Sequence, residues 1–313
     1  MHHWLLSLLI FVSQLSIASE VFVERSDSGI SGPPYKEILA EMDKLAIEYP
    51  GLVTVHQYGQ SVKGRPLKLL LVKKSFSLGM DHPTLLMTGS THGNEYLNIE
   101  DRLPREILKL SKTAGPVANF LTAGGAYIFV PILNPDGYET RSRYNANGAD
   151  LNRDWDVEPA NHSGFEEIET RSLADYLRKL TVTAQLDLRI TVDYHCCIGA
   201  LLHPWSYKSS ALPKADLAQH QTIGRSAEKL LKVEHGTTPQ ILGYSPLGTT
   251  KDYYYAEYGA LAFTYEGRYD QENKHFDKHV NWWIDMSDFA LKNHRAVIGI
   301  AKKTKKTTQT LAD

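Results

Sequence analysis

Beyond the apolar run at residues 84–88 (TLLMT) the chain reads Thr91-His92-Gly93-Asn94-Glu95, an imidazole and a carboxylate three residues apart. At a strand-to-helix turn, that spacing can aim both groups at one cation. The pair alone says little: His-x-x-Glu arises by chance in a chain with 13 histidines, and Glu95 could simply favour the dipole of a following helix. A second apolar run, residues 188–192, leads straight into Asp193-Tyr194-His195. Taken singly, His195 reads as a satisfied core histidine. As a residue just beyond a buried strand it can be a third ligand. Two imidazoles and one carboxylate leave a position open for water, the arrangement of a catalytic rather than a structural zinc.

Hydrolysis at such a centre needs a base and a positive donor for the developing oxyanion. Glu266 ends the apolar run 261–265, where partial burial would raise its pKa; an ion pair with Arg268 is the plainer alternative. Residues 143–153 (RYNANGADLNR) offer two arginines ten apart in a dense polar loop, and a guanidinium fork suits a carboxylate bidentately.

Strands must present these groups. Residues 84–88 and 126–130 are continuous apolar runs, the mark of strands buried on both faces. Residues 53–58 and 67–72 read as strands around the turn Lys63-Gly64-Arg65-Pro66, and 188–192 and 261–265 as further buried strands. Apolar residues from Ile38 to Ile47 recur at helical spacing, and helical stretches are expected near 95–111, 164–180, 214–232 and 275–301. Strands alternating with helices predict an α/β fold, a sheet with helices on both faces. Ligands in such folds gather at the carboxyl ends of the strands, where His92, His195 and Glu266 fall.

The 313 residues carry 34 Lys+Arg against 36 Asp+Glu, a net charge of −2. That balance argues against a nucleic-acid partner, and 42% apolar content argues against disorder. The only two cysteines, Cys196 and Cys197, are adjacent. They support neither a disulfide framework nor a Cys-based zinc site, and the expectation is that the chain forgoes disulfides. Residues 1–18 hold one apolar core of about nine residues, short of the roughly 20 that span a bilayer, and end in Ser16-Ile17-Ala18. A secretory signal peptide is expected there, an N-terminal anchor being the alternative. A catalytic domain over 19–301 and a polar, basic, disordered tail over 302–313 complete the expected organisation.

Together these residues resemble the zinc metallocarboxypeptidases of the carboxypeptidase A/B (funnelin) family. The resemblance covers nearly the whole mature chain. It runs from Tyr35-Lys36-Glu37-Ile38 and the segment 49–66 through Thr91-His92-Gly93-Asn94-Glu95, Asn134-Pro135-Asp136-Gly137-Tyr138, Asp150-Leu151-Asn152-Arg153-Asp154-Trp155 and His195 to Phe263-Thr264-Tyr265-Glu266. It implies a mixed, mostly parallel twisted sheet and one zinc held by His92, Glu95 and His195. Glu266 would be general base and proton shuttle, and Asp150 would orient His92 from behind. Arg143 would polarise the scissile carbonyl, and Asn152 and Arg153 would clamp the substrate's terminal carboxylate. Tyr244 matches a mobile tyrosine that closes over substrate, with Asp252 supporting the register.

That register puts Lys251 at the base of the specificity pocket, where relatives selective for basic side chains carry an acid. A lysine there implies a terminal residue bearing a carboxylate, acidic or diaminopimelate; the alternative is a lysine turned to solvent. Several positions depart from the digestive branch. The matching region begins soon after the expected cleavage point, leaving no room for a prosegment. Asn94 stands where digestive relatives carry a subsite arginine, and Cys196-Cys197 where they carry Ser and Tyr. The run 145–153 is closer to bacterial branches, including those acting on cell-wall peptides. The expectation is therefore a secreted or periplasmic, monomeric zinc carboxypeptidase. It would act on peptide or peptidoglycan-peptide substrates, with no nucleic-acid partner and no membrane insertion once the signal is removed. The alternatives are a zinc amidoacylase on N-acyl amino acids and a non-catalytic peptide-carboxylate binder.

Overall fold

The computed structural model describes residues 32–74, 81–268 and 272–293. The expected signal peptide and basic tail lie outside these residues. Among the described residues no helix is long and apolar enough to cross a membrane.

Eight strands form one sheet: β1 (Val53–Gln60), β2 (Pro66–Lys73), β3 (His82–Gly89), β4 (Ala126–Val130), β5 (Leu186–Cys196), β6 (Ala200–His203), β7 (Glu234–Thr237) and β8 (Leu261–Gly267). Their order is β1-β2-β4-β3-β5-β8-β6-β7. The centre, β4-β3-β5-β8, is parallel throughout. Towards one edge β2 and β1 run antiparallel, and on the other side β6 is antiparallel to β8 while β7 follows β6 in parallel. The continuous apolar runs thus became the central strands, as burial on both faces requires. The helices are α1 (Tyr35–Glu48), α2 (Leu103–Leu110), α3 (Pro116–Thr122), α4 (Pro135–Thr140), α5 (Ile168–Thr183), α6 (Lys214–Leu231), α7 (Thr238–Leu242), α8 (Thr250–Tyr258) and α9 (Phe276–Lys292).

The helices cover both faces of the sheet, as expected. One core sets Leu85, Met87, Ile190, Val192, Tyr194, Phe263 and Tyr265 against α1, α2, α3, α6 and α9. The other sets Leu86, Ile128, Val130 and Ala262 against α5, α8, Trp155 and Trp205. Because side chains alternate along a strand, Tyr194 and Tyr265 pack into the first core, and their neighbours His195 and Glu266 point the other way.

Two expected helices differ in extent. Helix α2 begins at Leu103, not near residue 95. The buried carboxyl group of Glu100 accepts the backbone N–H groups of Leu97 and Ile99, and Asn98 takes a left-handed φ of 62°. That local bonding competes with a helical ladder, so β3 leads into an irregular segment. Helix α9 ends at Lys292, and residues 294–301 of the expected stretch lie outside those described.

Candidate metal centre and active site

Strand β3 ends at Gly89, and the turn after it carries His92 and Glu95. Gly93 has no room for a side chain: a Cβ there would collide with the backbone of Gly137 and Tyr138 at the start of α4. Asn134 fixes that start by accepting the Gly137 N–H at 2.9 Å. From the neighbouring strand β5, His195 comes alongside.

Three atoms converge. His195 Nδ1 lies 3.0 Å from His92 Nδ1 and 2.9 Å from Glu95 Oε2, and His92 Nδ1 is 2.9 Å from the same oxygen. All three residues are buried. Each imidazole spends its outer nitrogen on a carboxylate: His92 Nε2 on Asp150 at 2.9 Å and His195 Nε2 on Asp193 at 2.7 Å. With those nitrogens as donors, each Nδ1 can turn a lone pair inward. This pattern of histidine ligands braced from behind is typical of zinc sites. The electrostatics also favour positive charge at the centre. Burial pushes the Glu95 pKa up, but hydrogen bonds and charge from His195 and His92 outweigh it and hold it well below the carboxylate range. Burial alone would lower the His195 pKa, yet the Asp193 and Glu95 carboxylates raise it well above its ordinary value. Two nitrogens and an oxygen on a compact triangle, with negative charge behind them, fit a divalent zinc.

Glu266 reaches the same place from β8, as the Cα partner of His195 in the parallel register. Its carboxylate makes no hydrogen bond or ion pair among the described residues, so the alternative pairing with Arg268 is absent. Burial raises its pKa. Arg143 lies against the centre. It donates from Nη1 to Glu95 Oε1 at 3.1 Å and from Nε and Nη2 to Asp150 Oδ2 at 3.2 and 3.0 Å, with its side chain 35% exposed.

Asn152 is tied to the centre at both ends. Its N–H donates to Asp150 Oδ1 at 2.9 Å, and its Oδ1 accepts the Thr250 N–H at 3.0 Å, leaving the side-chain N–H groups without an acceptor among the described residues. Arg153 spends one N–H on the Asn152 carbonyl and has no carboxylate partner among the described residues. Lys251, on the first turn of α8, is 2% exposed. Burial lowers its pKa, and it lies near enough to Asp252, Glu266, Arg153 and Asp193 to feel their charges. The solvent-facing alternative for Lys251 is therefore excluded. Tyr244 stands 49% exposed on the loop between α7 and α8. That loop is anchored at Gly248, which has a φ of +68° and packs on the Arg153 backbone; its carbonyl accepts the Trp155 N–H at 3.2 Å.

The structure corrects one expectation. Cys196 and Cys197 are joined by a disulfide, although the sequence argued that the chain forgoes one. The strain expected of adjacent cysteines made a bridge look unfavourable, but the two thiols are brought together in the turn that follows His195. The sequence reading also missed Asp193 and Thr250. Asp193 had a signal: two residues before His195 on a strand, it must share His195's face. Thr250 had none.

Comparisons with known proteins agree with this geometry. Residues 38–281 match the family model described as zinc carboxypeptidase. Carboxypeptidase B of Astacus astacus is 26% identical over 307 residues, covering 86% of this chain and 97% of that protein. Carboxypeptidase B of Helicoverpa zea is 26% identical over 272 residues, 74% of this chain, and the chain spans 61% of its length. Among solved structures, thrombin activatable fibrinolysis inhibitor superposes with a TM-score of 0.71 at 18% identity, over 86% of this chain and 77% of that one. Carboxypeptidase A from Helicoverpa armigera gives 0.65 at 22%, over 84% and 75%. At those identities the superpositions establish the fold, a mixed eight-stranded sheet between helices. The family match extends from α1 into α9 and takes in every strand and the whole cluster around His92, Glu95 and His195, so the chain belongs to the zinc carboxypeptidase family.

Proposed function

We propose that the chain is an exported zinc carboxypeptidase that removes single residues from peptide C-termini, preferring a terminal side chain that bears a carboxylate. The observation that carries the activity is the buried His92–Glu95–His195 triangle with the Glu266 carboxylate, unpartnered among the described residues, beside it. His92, Glu95 and His195 hold the zinc, which when bound supplies Lewis acidity to the water and to the scissile carbonyl.

The protein's own groups do the rest. Glu266, its pKa raised by burial, takes the proton of the attacking water and returns it to the leaving amine, as a general base then acid should. Arg143 is held beside the centre by Asp150 and Glu95 and is exposed enough to turn a donor towards the oxyanion. Asp150 and Asp193 keep both imidazoles in the ligating tautomer. Asn152 offers its side-chain N–H groups and Arg153 its guanidinium to the terminal carboxylate, which restricts cleavage to the last peptide bond. Tyr244, exposed on its loop, would close over a bound peptide.

The buried ammonium of Lys251 supports the preference for acidic or diaminopimelate termini. Among the described residues nothing pairs it, and a substrate carboxylate would. Arg143, Arg153 and Lys251 then form a local positive pocket in a chain of net charge −2. The test is zinc content together with mass-spectrometric product analysis on peptides ending in Glu, Leu and Lys and on muropeptides. One zinc per chain and fastest release of the carboxylate-bearing residue are expected. Fastest release of Lys would overturn the preference. A zinc-loaded chain that binds C-terminal peptides without cleaving them would overturn the activity.

A further inference from the structure

We propose that Thr250 is a positioning residue that links the carboxylate clamp at Asn152 to the metal ligand His195, so that terminal-carboxylate binding and zinc binding share one hydrogen-bonded frame. The inference rests on the zinc carboxypeptidase reading above and adds a coupling between two of its parts.

The argument is an accounting of protons. Thr250 is fully buried at the start of α8. Its backbone N–H donates to Asn152 Oδ1 at 3.0 Å. Its hydroxyl oxygen lies 3.0 Å from that same Oδ1 and 2.7 Å from Asp193 Oδ2. One hydroxyl proton faces two acceptors, and the shorter, charge-assisted contact to the carboxylate takes it. Asp193 is saturated. Its Oδ1 accepts the hydroxyls of Thr88 at 2.7 Å and Thr91 at 2.9 Å, and its Oδ2 accepts Thr250 and His195 Nε2, both at 2.7 Å.

Of the three threonines on Asp193, only Thr250 also touches the substrate clamp. Thr88 lies one residue before the end of β3 and Thr91 follows the strand. Asn152 is therefore held from two sides: its backbone leads through Asp150 to His92, and its side chain accepts the Thr250 N–H, whose hydroxyl leads through Asp193 to His195. The loop that reads the carboxylate and the strand that carries the ligand are otherwise separate elements. Displacing Asn152 would loosen the start of α8, release the Thr250 hydroxyl and free the Asp193 carboxylate that aims His195.

A double-mutant cycle on zinc affinity tests this, measured by chelator competition on the full chain with melting curves to confirm folding. Losing a group behind a ligand commonly weakens a metal site about 10-fold or more. One step further out, Asn152→Ala and Thr250→Val are each expected to weaken zinc binding about three- to tenfold. Thr250→Ser should restore it. If the coupling runs through Thr250, the double variant is no weaker than the worse single one. Thr88→Val, which strips a hydroxyl from Asp193 without touching Asn152, should combine multiplicatively with Asn152→Ala. Unchanged zinc affinity in Asn152→Ala, or multiplicative effects for the Asn152–Thr250 pair, would overturn the proposal. Should Thr250→Val fail to fold, Thr250→Ala completes the cycle, and the Asn152→Ala arm decides by itself. A wild-type chain that binds no zinc would sink the proposed function and this inference together, whereas a zinc-loaded, active wild type with multiplicative effects would sink only the inference.

Discussion

His195 and Glu266 are Cα partners across the parallel strands β5 and β8, so a member of the candidate metal triangle and a carboxylate with no hydrogen-bond or ion-pair partner among the described residues sit side by side on one face of the sheet. A shift of one residue in either strand would send one of them into the opposite core, where Tyr194 and Tyr265 now lie. The register thus sets the proposed base beside the proposed metal ligand without a hydrogen bond between the two side chains. Glu266→Gln is expected to keep one zinc, because Glu266 ligates nothing. It should lose about 10²- to 10⁴-fold in kcat, the usual worth of a positioned base. Metal analysis and steady-state kinetics on the same preparation check this; a variant that loses its zinc would make Glu266 part of the metal site instead.

Lys251 gives the second prediction. A buried ammonium with no ion-pair partner among the described residues is costly, and a substrate carboxylate would relieve that cost. Lys251→Met removes the charge at similar volume. A charge-assisted hydrogen bond contributes about 1.5–3 kcal/mol, so kcat/KM on Glu-terminated peptides should fall about 10- to 100-fold, while Leu-terminated peptides gain. The ratio of the two rates is the readout. An unchanged ratio would mean that Lys251 does not meet the substrate side chain.

Much of this was legible in the sequence, for a physical reason in each case. Residues 84–88 and 126–130 announced the central strands because only a doubly covered strand can be apolar at every position. The triangle of His92, Glu95 and His195 was legible because its members follow continuous apolar runs, whereas the places of Asp150 and Arg143 beside it came from the family resemblance, the polar loop by itself offering only two arginines. Helix α8 was not. Thr250, Lys251, Asp252, Tyr253, Tyr254 and Tyr255 are all buried, so it shows no amphipathic stripe. Strands β6 and β7, four residues each, are too short for a period to register. The irregular path after β3 was hidden because it depends on Glu100 folding back onto its own backbone.

Asp136 shows what the Asn-Pro-Asp-Gly-Tyr segment contributes away from the chemistry. Its Oδ1 accepts Ser61 Oγ at 3.0 Å and Arg65 Nη1 at 2.6 Å, and its Oδ2 accepts the Lys63 N–H at 2.9 Å, all of them in the β1–β2 turn. Both members of the Arg65–Asp136 pair are buried. Breaking such a pair from one side costs about 3–5 kcal/mol, because the remaining buried charge loses that partner. Asp136→Ala should therefore lower stability by about that amount in denaturant titration, while KM on peptide substrates in the surviving folded fraction stays near wild type. A shifted KM with unchanged stability would contradict a purely structural role.

Glu100 supplies a pH dependence. Its carboxyl is fully buried, and burial raises its pKa from 4.5 to about 8, although its own N–H and those of Leu97 and Ile99 pull it back. In the unfolded chain the group ionises near 4.5; in the folded chain it keeps its proton to about 8. Between those values the folded state binds the extra proton, so this group's contribution to stability falls as pH rises through that window, by up to about 1.4 kcal/mol per unit. Below 4.5 and above 8 it contributes no slope. Glu100→Gln keeps an acceptor for the backbone N–H groups and cannot ionise. The variant should match wild type near pH 4.5, exceed it in melting temperature by several degrees at pH 8, and show a flatter stability profile between. Melting curves across that range decide the matter: parallel profiles for the two proteins would mean that Glu100 is already ionised in the folded chain at neutral pH.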